Sequence, residues 1–348
     1  MCNIAGYVGT RQAAPILIEM MKKQEGFDSG FFTGISTIHE GKIYCAKVVG
    51  DVDTLVKTTD AASLPGTIGF IHGRTPGGPL EGISEWAHPF TTVRNGEIVG
   101  SFIENGCVRF FKPLLEQRIA IAEQLKKDGY ELKTEVYYPE SSFKLSNGCK
   151  IHYCDVLCQL ITQKIDQGAD SVTAISEASC QMPTETVGLY LTKTEPEAIT
   201  WTRMNFPMHV NFVSHGAYLA TTPMAFPSDA GEPQLLPPFS SGLVYKDQVT
   251  IVPYKKAPAT IAPLDSRTYH KLYEVIHEQL QKEEGTTVPE IGTLIFDMFE
   301  PADLVPVGAA LYRIIYDIDK AEGIEITEKR QPGKLEGLTA PVFYMKLK

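Results

Sequence analysis

The sequence has no surplus of basic residues. Its 348 residues include 32 Lys and Arg against 42 Asp and Glu, which gives a formal net charge of −10 and a pI near 5.4. Such a chain repels phosphate backbones and anionic lipid headgroups at long range. We therefore expect neither nucleic acid nor a membrane surface as a partner.

Long apolar runs and a leader-like N-terminus are also missing. No run approaches the roughly 18 residues of a membrane span. The opening MCNIAGYVGT has neither the basic flank nor the apolar block of a signal peptide. Seven cysteines is an odd number, and disulfide frameworks belong to short secreted domains. We therefore expect a cytoplasmic protein whose cysteines are mostly reduced thiols.

Alternating and helical hydrophobic patterns divide the first 255 residues into strands, then helices, then strands. Strands are predicted at 3–9, 30–49 (a hairpin), 66–71, 96–103, 186–191, 198–203, 217–222 and 242–254 (a second hairpin). Helices are predicted at 13–23, 113–127, 155–165 and 171–179. This order predicts an α+β fold.

A proline-containing stretch without periodicity, KKAPATIAP at 255–263, is typical of a linker. It separates a first domain at 1–255 from a small module at 262–348. The module is predicted to hold helices at 269–280, 288–299 and 307–318, followed by a hairpin of 324–327 with 341–347. That order resembles a winged helix, but its 10 basic and 15 acidic residues (10 − 15 = −5) argue against DNA binding. We expect the module to act in docking or in homo-oligomerisation.

Cys2 stands out by position, because it follows the initiator methionine. Met1 is commonly removed before a small residue, which leaves Cys2 with a free α-amine and a thiol on one carbon. An α-amine titrates near pKa ~8 and a thiol near ~8.5, so the amine can take the thiol proton directly or through a water. Cys2 is therefore a candidate nucleophile, although its position alone suits a small buried residue that begins a strand equally well.

Four segments resemble class II glutamine amidotransferases, the N-terminal-nucleophile family that includes the glutaminase half of glucosamine-6-phosphate synthase. MCNIAGYVG resembles the family's opening, and GFDSGFFTG resembles its tyrosine-aspartate-serine segment. IGFIHGRTPGGP with the later EWAHPF is similar to its arginine-bearing strand and Ala-His-Pro, and GEIVGSFIENG to its strand ending in Asn-Gly. Order and spacing agree over about residues 1–225. The resemblance implies a four-layer αββα sandwich.

The resemblance also implies a role for each matched residue. Asn105, through its side chain, and Gly106, through its backbone N–H, would form the oxyanion hole, although an Asn-Gly pair alone indicates a turn. Arg74 would hold the α-carboxylate of glutamine with its planar fork, against the alternative of a surface ion pair. His72 and His88 are interpreted as structural, with His88 hydrogen-bonded to the loop that frames the pocket.

The sequence departs from the family at two places in the predicted pocket. The run after the arginine is Thr75-Pro76-Gly77-Gly78, from which Thr75 and Gly77 are kept as candidate substrate contacts. Tyr153 stands where the family has the aspartate that receives the α-amine of glutamine. Asp155, two places later, is the candidate substitute. If it does not reach the amine, glutamine should bind less tightly, or an amine-free ligand should be preferred.

Cys149, His152, Cys154 and Cys158 superficially suggest a zinc site. Their spacing is not a standard paired motif, and the C-x3-C pair falls on the core-facing side of a helix. We therefore expect no metal, and the resemblance implies no cofactor.

The expected function is that of a glutaminase, which releases glutamate and ammonia from L-glutamine through a thioester on Cys2. The residues after 262 contain no Gly-rich phosphate cradle, so the acceptor enzyme is expected to be a separate synthase, for example a sugar isomerase-like subunit. Two alternatives stay open. One is a catalytically silent binding or regulatory subunit, and the other is a cysteine N-terminal-nucleophile acylase for another amide, such as a conjugated bile salt or penicillin V.

Overall fold

The computed structural model describes residues 2–76, 83–107, 111–258, 263–299 and 301–348, with the backbone alone described at 107, 301–307 and 309. Its strands are β1 (Asn3–Gly9), β2 (Phe32–His39), β3 (Lys42–Val49), β4 (Ile68–Arg74), β5 (Phe90–Arg94), β6 (Glu97–Cys107), β7 (Val136–Tyr137), β8 (Cys149–Lys150), β9 (Glu185–Thr192), β10 (Ile199–Arg203), β11 (His209–Val213), β12 (Gly216–Ala220), β13 (Gln234–Leu235), β14 (Ser240–Val244), β15 (Val252–Pro253), β16 (Ile324–Pro332) and β17 (Thr339–Leu347). Its helices are α1 (Ala13–Lys22), α2 (Glu25–Asp28), α3 (Val52–Thr58), α4 (Leu115–Lys127), α5 (Tyr153–Asp166), α6 (Ser171–Gln181), α7 (Ser266–Leu280), α8 (Val288–Met298) and α9 (Pro301–Glu322).

Two antiparallel sheets form the centre of the described part of the chain. One has seven strands in the order β13-β11-β12-β1-β4-β2-β3, and the other has six in the order β15-β14-β10-β9-β6-β5. β1 lies inside the first sheet, paired with β12 on one side and β4 on the other. The N-terminal end of the chain is therefore held at the edge of a central strand.

The two sheets pack face to face, with helices on both outer faces. Ile4 of β1 and Trp201 of β10 belong to the apolar core between the sheets. Leu17 of α1 belongs to the core on the outer face of the seven-stranded sheet, and Leu157 of α5 to the core on the outer face of the six-stranded one. Successive strand residues point to opposite faces, so β1 contributes to two of these cores. The predicted α+β, four-layer αββα architecture is confirmed.

The C-terminal helices and the β16–β17 hairpin share a core of their own that also takes in Phe27 from α2. The rings of Phe27 and Phe343 meet edge to face, with centroids 5.2 Å apart. Arg330 of β16 pairs with Asp51, the residue before α3. The predicted helices and hairpin are present, whereas the boundary at 255–262 and the winged-helix likeness stay predictions. Among the described residues, no helix is long and apolar enough to cross a membrane.

Several short elements were absent from the expectations drawn from the sequence, among them β5, β11 and α3. β5 and β11 are five residues each, too short to show a clear alternation, and they are held by neighbouring strands. α3 is a seven-residue helix whose N-cap, Asp51, accepts a hydrogen bond from the Thr54 backbone. The last predicted hairpin is confirmed, since its two strands pair in one antiparallel register that runs from Val244 with Val249 to Ser240 with Pro253.

Candidate functional site

Cys2 lies directly before β1, and its thiol is close to the end of β4. The Cys2 Sγ is 3.7 Å from the Thr75 Oγ1. Desolvation raises the pKa of the thiol, but the neighbouring His72 side chain lowers it by more, so that the pKa falls to about 6. A substantial thiolate fraction at neutral pH suits a nucleophile. Met1 lies outside the described residues, so the free α-amine stays a prediction.

The six-stranded sheet brings Asn105 to the same point. Its Nδ2 donates a hydrogen bond of 2.7 Å to the backbone carbonyl of Cys2, and its side chain is buried. Gly106 follows at a position where a Cβ would come within 2.3 Å of the Glu104 carboxylate. Glycine therefore lets the backbone N–H be presented without a side chain in the way. The two predicted oxyanion residues thus lie beside the strand that follows Cys2, the candidate nucleophile.

Arg74 ends β4, one residue before Thr75. Its Nη1 donates to the Trp86 carbonyl at 3.1 Å, and its guanidinium lies 5.0 Å from the centroid of the Phe32 ring. Burial lowers the pKa of the guanidinium, and its interaction with Cys2 acts against that shift. The predicted carboxylate receptor is therefore brought beside the thiol. Gly77 lies outside the described residues.

His72 is closer to the chemistry than the sequence suggested. Its Nε2–H donates to the Glu104 carbonyl at 3.0 Å, which leaves Nδ1 as the basic nitrogen. Its ring packs against that of His88, with centroids 3.9 Å apart and the ring planes tilted by 31°. His72, interpreted as structural from the sequence, thus lies beside the Cys2 thiol and tunes it.

His88 does not make the hydrogen bond expected of it. Both of its ring nitrogens are buried and find no partner among the described residues. Burial lowers the pKa of His88 well below its ordinary value, so the ring is neutral. It packs between His72 and Phe90, which makes it an aromatic spacer. The prediction that it hydrogen-bonds the pocket loop is wrong for the described part of the chain.

The Asp155 carboxylate is hydrogen-bonded to other protein groups. One carboxylate oxygen accepts from the backbone and hydroxyl of Thr134, at 3.0 and 2.9 Å, and the other accepts from the Gln159 side chain. The carboxylate is 1% exposed, and it ties the segment before β7 to the first turn of α5. This corrects the expectation that Asp155 receives the amine of the substrate. Tyr153 does not offer an anion either, since its hydroxyl donates to the Met182 carbonyl and burial holds its pKa well above the ordinary value.

Two buried groups near the site were missed. The Oε1 of Glu104 accepts from the hydroxyls of Thr184 and Thr186, whereas its Oε2 has no partner among the described residues. The Cys154 thiol, whose pKa is raised well above its ordinary value by burial and by Glu104, interacts with the charges of Arg74 and Cys2. A sequence signal did exist, because Glu104 interrupts the apolar run SFIENG directly before the Asn-Gly pair.

No set of three or more His, Cys, Asp or Glu side chains in the described ranges is arranged to hold a metal ion. His152 instead accepts a hydrogen bond from the Cys154 backbone as the N-cap of α5.

The chain is similar in sequence to curated proteins named glutamine–fructose-6-phosphate aminotransferase (isomerizing). The one from Pyrococcus horikoshii is 37% identical over 132 residues, which cover 37% of this chain and 21% of that protein. The one from Bacteroides thetaiotaomicron is 30% identical over 230 residues, covering 64% of this chain and 32% of that protein. The chain thus spans about a third or less of the length of these relatives. No protein-family profile matches it.

Solved structures share the fold at low identity. A glutamine phosphoribosylpyrophosphate amidotransferase from B. subtilis is 16% identical with a TM-score of 0.56, covering 81% of this chain and 58% of that one. A structure described as the allosteric regulatory enzyme of purine biosynthesis gives 16% and 0.57, covering 80% and 57%. At this identity the likeness establishes the fold alone.

Proposed function

We propose that this chain, which is a relative of the glutamine amidotransferases over its N-terminal part and shares their fold, hydrolyses the side-chain amide of L-glutamine. One observation supports this above all others. Asn105 of one sheet hydrogen-bonds the Cys2 residue, while Thr75, next to Arg74 of the other sheet, lies against its thiol. The residues that we propose as nucleophile, oxyanion donor and carboxylate receptor therefore lie together where the two sheets meet.

The reaction proceeds through two tetrahedral intermediates. The Cys2 thiolate attacks the side-chain carbonyl of glutamine, and the carbonyl oxygen becomes an oxyanion held by the Asn105 amide and the Gly106 N–H. The C–N bond breaks, the leaving nitrogen takes a proton from the α-ammonium of Cys2, and ammonia departs from a thioester. Water attacks the thioester and gives a proton back to the α-amine. Glutamate leaves, and the thiolate is restored.

Arg74 gives the site its preference for an amino acid over a bare amide. A guanidinium matches a carboxylate bidentately, and Phe32 and Trp86 fix its direction. A zwitterionic substrate needs no broad basic field, which is compatible with the chain's net charge of −10.

The fate of the ammonia is a further part of the proposal. We place a separate acceptor synthase, of the amino-sugar phosphate type, against the 262–348 module, and we assign homo-oligomerisation and a cytoplasmic location to the chain. An acidic module with its own core suits protein docking better than nucleic acid binding. Sedimentation of the chain with and without a candidate sugar-phosphate isomerase tests both associations.

Mass spectrometry after treatment with diazo-oxo-norleucine, an electrophilic glutamine analogue, tests the enzyme itself. Loss of Met1 and one adduct on Cys2 are expected, together with ammonia release from glutamine. Cys2→Ala should abolish both labelling and release, while the matched variant Cys45→Ala should keep them, because Cys45 lies on the edge strand β3 opposite Ser36.

Two other results would each overturn the proposal. Retained Met1 without labelling would indicate a silent binding subunit, a reading that Tyr153 at the amine position favours. Hydrolysis of conjugated bile salts or penicillin V without ammonia release from glutamine would indicate an acylase.

A further inference from the structure

The proposed function leaves one charge of the substrate without a receptor. Glutamine carries an α-ammonium beside its α-carboxylate, and a buried ammonium without an anion is costly. Asp155 is occupied by Thr134 and Gln159, and Tyr153 is a neutral phenol bound to a carbonyl. The missing anion must come from another element.

Glu104 has the properties such a receptor needs. It directly precedes Asn105 on β6, and its own carbonyl accepts the His72 Nε2–H. Its carboxyl group is 1% exposed, and Thr184 and Thr186 fix Oε1. Oε2 remains buried and without a partner in the described part of the chain. A buried carboxylate oxygen left open in this way is rare unless a ligand or water completes it.

Cys154 links this carboxyl group to the rest of the site. Burial raises the pKa of its thiol, which also lies close enough to the Glu104 carboxyl group for that charge to raise the pKa further, and the thiol interacts with the charges of Arg74 and Cys2. One small side chain on the first turn of α5 is thus in electrostatic reach of the nucleophile, the guanidinium and the open carboxylate. Glu104 is therefore on the same side of α5 as the groups that would hold the other parts of glutamine.

Arg118 of α4 is the buried cation that faces Glu104. It interacts electrostatically with the Glu104 carboxylate, and its Nη2 donates to the Phe111 and Pro183 carbonyls. No hydrogen bond joins the two side chains among the described residues. Burial raises the pKa of Glu104, and the hydrogen bonds from Thr186 and Thr184 act against that rise. Arg118 also interacts with the negative charge of Glu104 without occupying Oε2.

We propose that Glu104 is a specificity residue of the site and that its Oε2 accepts the α-ammonium of glutamine while Arg74 holds the α-carboxylate. This inference rests on the proposed function. It assigns the amine subsite to a strand residue beside the oxyanion hole instead of to the first turn of α5.

The test compares glutamine with glutaramate, the same amide without the α-amine. The wild-type chain should hydrolyse glutamine with a KM lower by about tenfold or more, because a hydrogen bond between charged groups is lost with glutaramate. Glu104→Gln should raise the KM for glutamine by a similar factor, keep kcat within a few-fold, and leave glutaramate unaffected. Glu97→Gln makes the same change at an exposed position of the same strand and should alter neither substrate.

Each other result overturns the inference. A wild-type KM that does not distinguish the two amides excludes an amine receptor, and that measurement needs no variant to fold. If Glu104→Gln raises the KM for glutamine and for glutaramate equally, the Glu104 carboxyl group has a structural role and does not bind the amine. If the wild-type chain neither hydrolyses glutamine nor reacts with diazo-oxo-norleucine, both the proposed function and the role of Glu104 are wrong. If the chain is active but hydrolyses the two amides with the same KM, only the role of Glu104 is wrong.

Discussion

Asn105 donates its side-chain amide to the backbone carbonyl of Cys2 over 2.7 Å, and this bond joins the two sheets at the candidate nucleophile. The donor and the nucleophile are 103 residues apart in the chain. The amide that we propose as an oxyanion donor therefore also positions the proposed nucleophile.

Asn105→Ala should lower kcat for glutamine hydrolysis by about 10²–10³-fold, as expected when one oxyanion donor is removed. Because the bond also positions Cys2, labelling of the thiol by diazo-oxo-norleucine should slow as well. Steady-state kinetics and timed mass spectrometry measure the two effects. Asn147→Ala, in an exposed turn, is the matched control. If Asn105→Ala keeps the wild-type kcat, Asn105 is not part of the oxyanion hole.

The position of His72 beside Cys2 predicts that the Cys2 thiol ionises at a lower pH than an ordinary cysteine. The pKa of Cys2 is about 6, so its alkylation by iodoacetamide should rise with pH around that midpoint and level off above pH 7. His72→Ala removes the group that lowers the pKa and leaves burial, which raises it, so the midpoint should move up by more than one pH unit. Peptide mass spectrometry separates Cys2 from the other thiols.

His39→Ala is the control for that experiment, because His39 ends β2 with an exposed ring. It should keep the wild-type midpoint. An unchanged midpoint in His72→Ala would show that the imidazole does not set the thiolate fraction.

The regular elements were the part of the fold that sequence patterns could predict. The first strand, predicted at 3–9, is β1, and the helix predicted at 171–179 is α6 with two further residues. Both patterns run long enough for alternation or helical spacing to show. β5 and β11 form through pairing with neighbouring strands in the folded sheet. Their five-residue sequences alone therefore could not predict them.

The residues of the candidate site also fall into two groups: those that local motifs predict and those whose contacts depend on the tertiary fold. Cys2, Arg74 and Asn105 were predicted through local motifs, and the structure brings them together. Asp155 was misassigned because its partner Thr134 is 21 residues away, in a segment that shows no periodicity. Glu104 was overlooked because the open state of its Oε2 depends on how β9 and α5 pack around it.

Phe343→Ala should show how firmly the C-terminal hairpin is joined to the rest. The ring is buried against Phe27 and contacts the position of Gly26, where no Cβ would fit. Its removal leaves a cavity and should lower the free energy of unfolding by about 3–5 kcal/mol. Urea denaturation followed by tryptophan fluorescence and circular dichroism measures the change. Leu335→Ala, at an exposed position, should cost little, and an equal effect of the two variants would contradict the packing.

Glu25, in the short helix that carries Phe27, makes stability depend on pH. Burial raises its pKa from 4.5 to about 8, while the Val52 N–H donates to its Oε2 at 3.0 Å. The folded state thus keeps a proton that the unfolded chain releases above pH 4.5, so the contribution of Glu25 is complete below that pH and is lost as pH rises to 8. Glu25→Gln supplies a permanently neutral acceptor for the same bond.

The variant should match the wild type near pH 4.5 and exceed its free energy of unfolding at pH 8, by on the order of 3 kcal/mol. Taking the difference between the two proteins at each pH cancels the other titrating groups, among them Asp51, whose pKa is lowered by Arg330 and Thr54 despite its burial. Glu19→Gln, an exposed residue of α1, should show no such difference. Urea titrations at pH 5 and pH 8 measure this difference. If the difference in free energy of unfolding between Glu25→Gln and the wild type is the same at both pH values, Glu25 is ionised in the folded protein throughout this range.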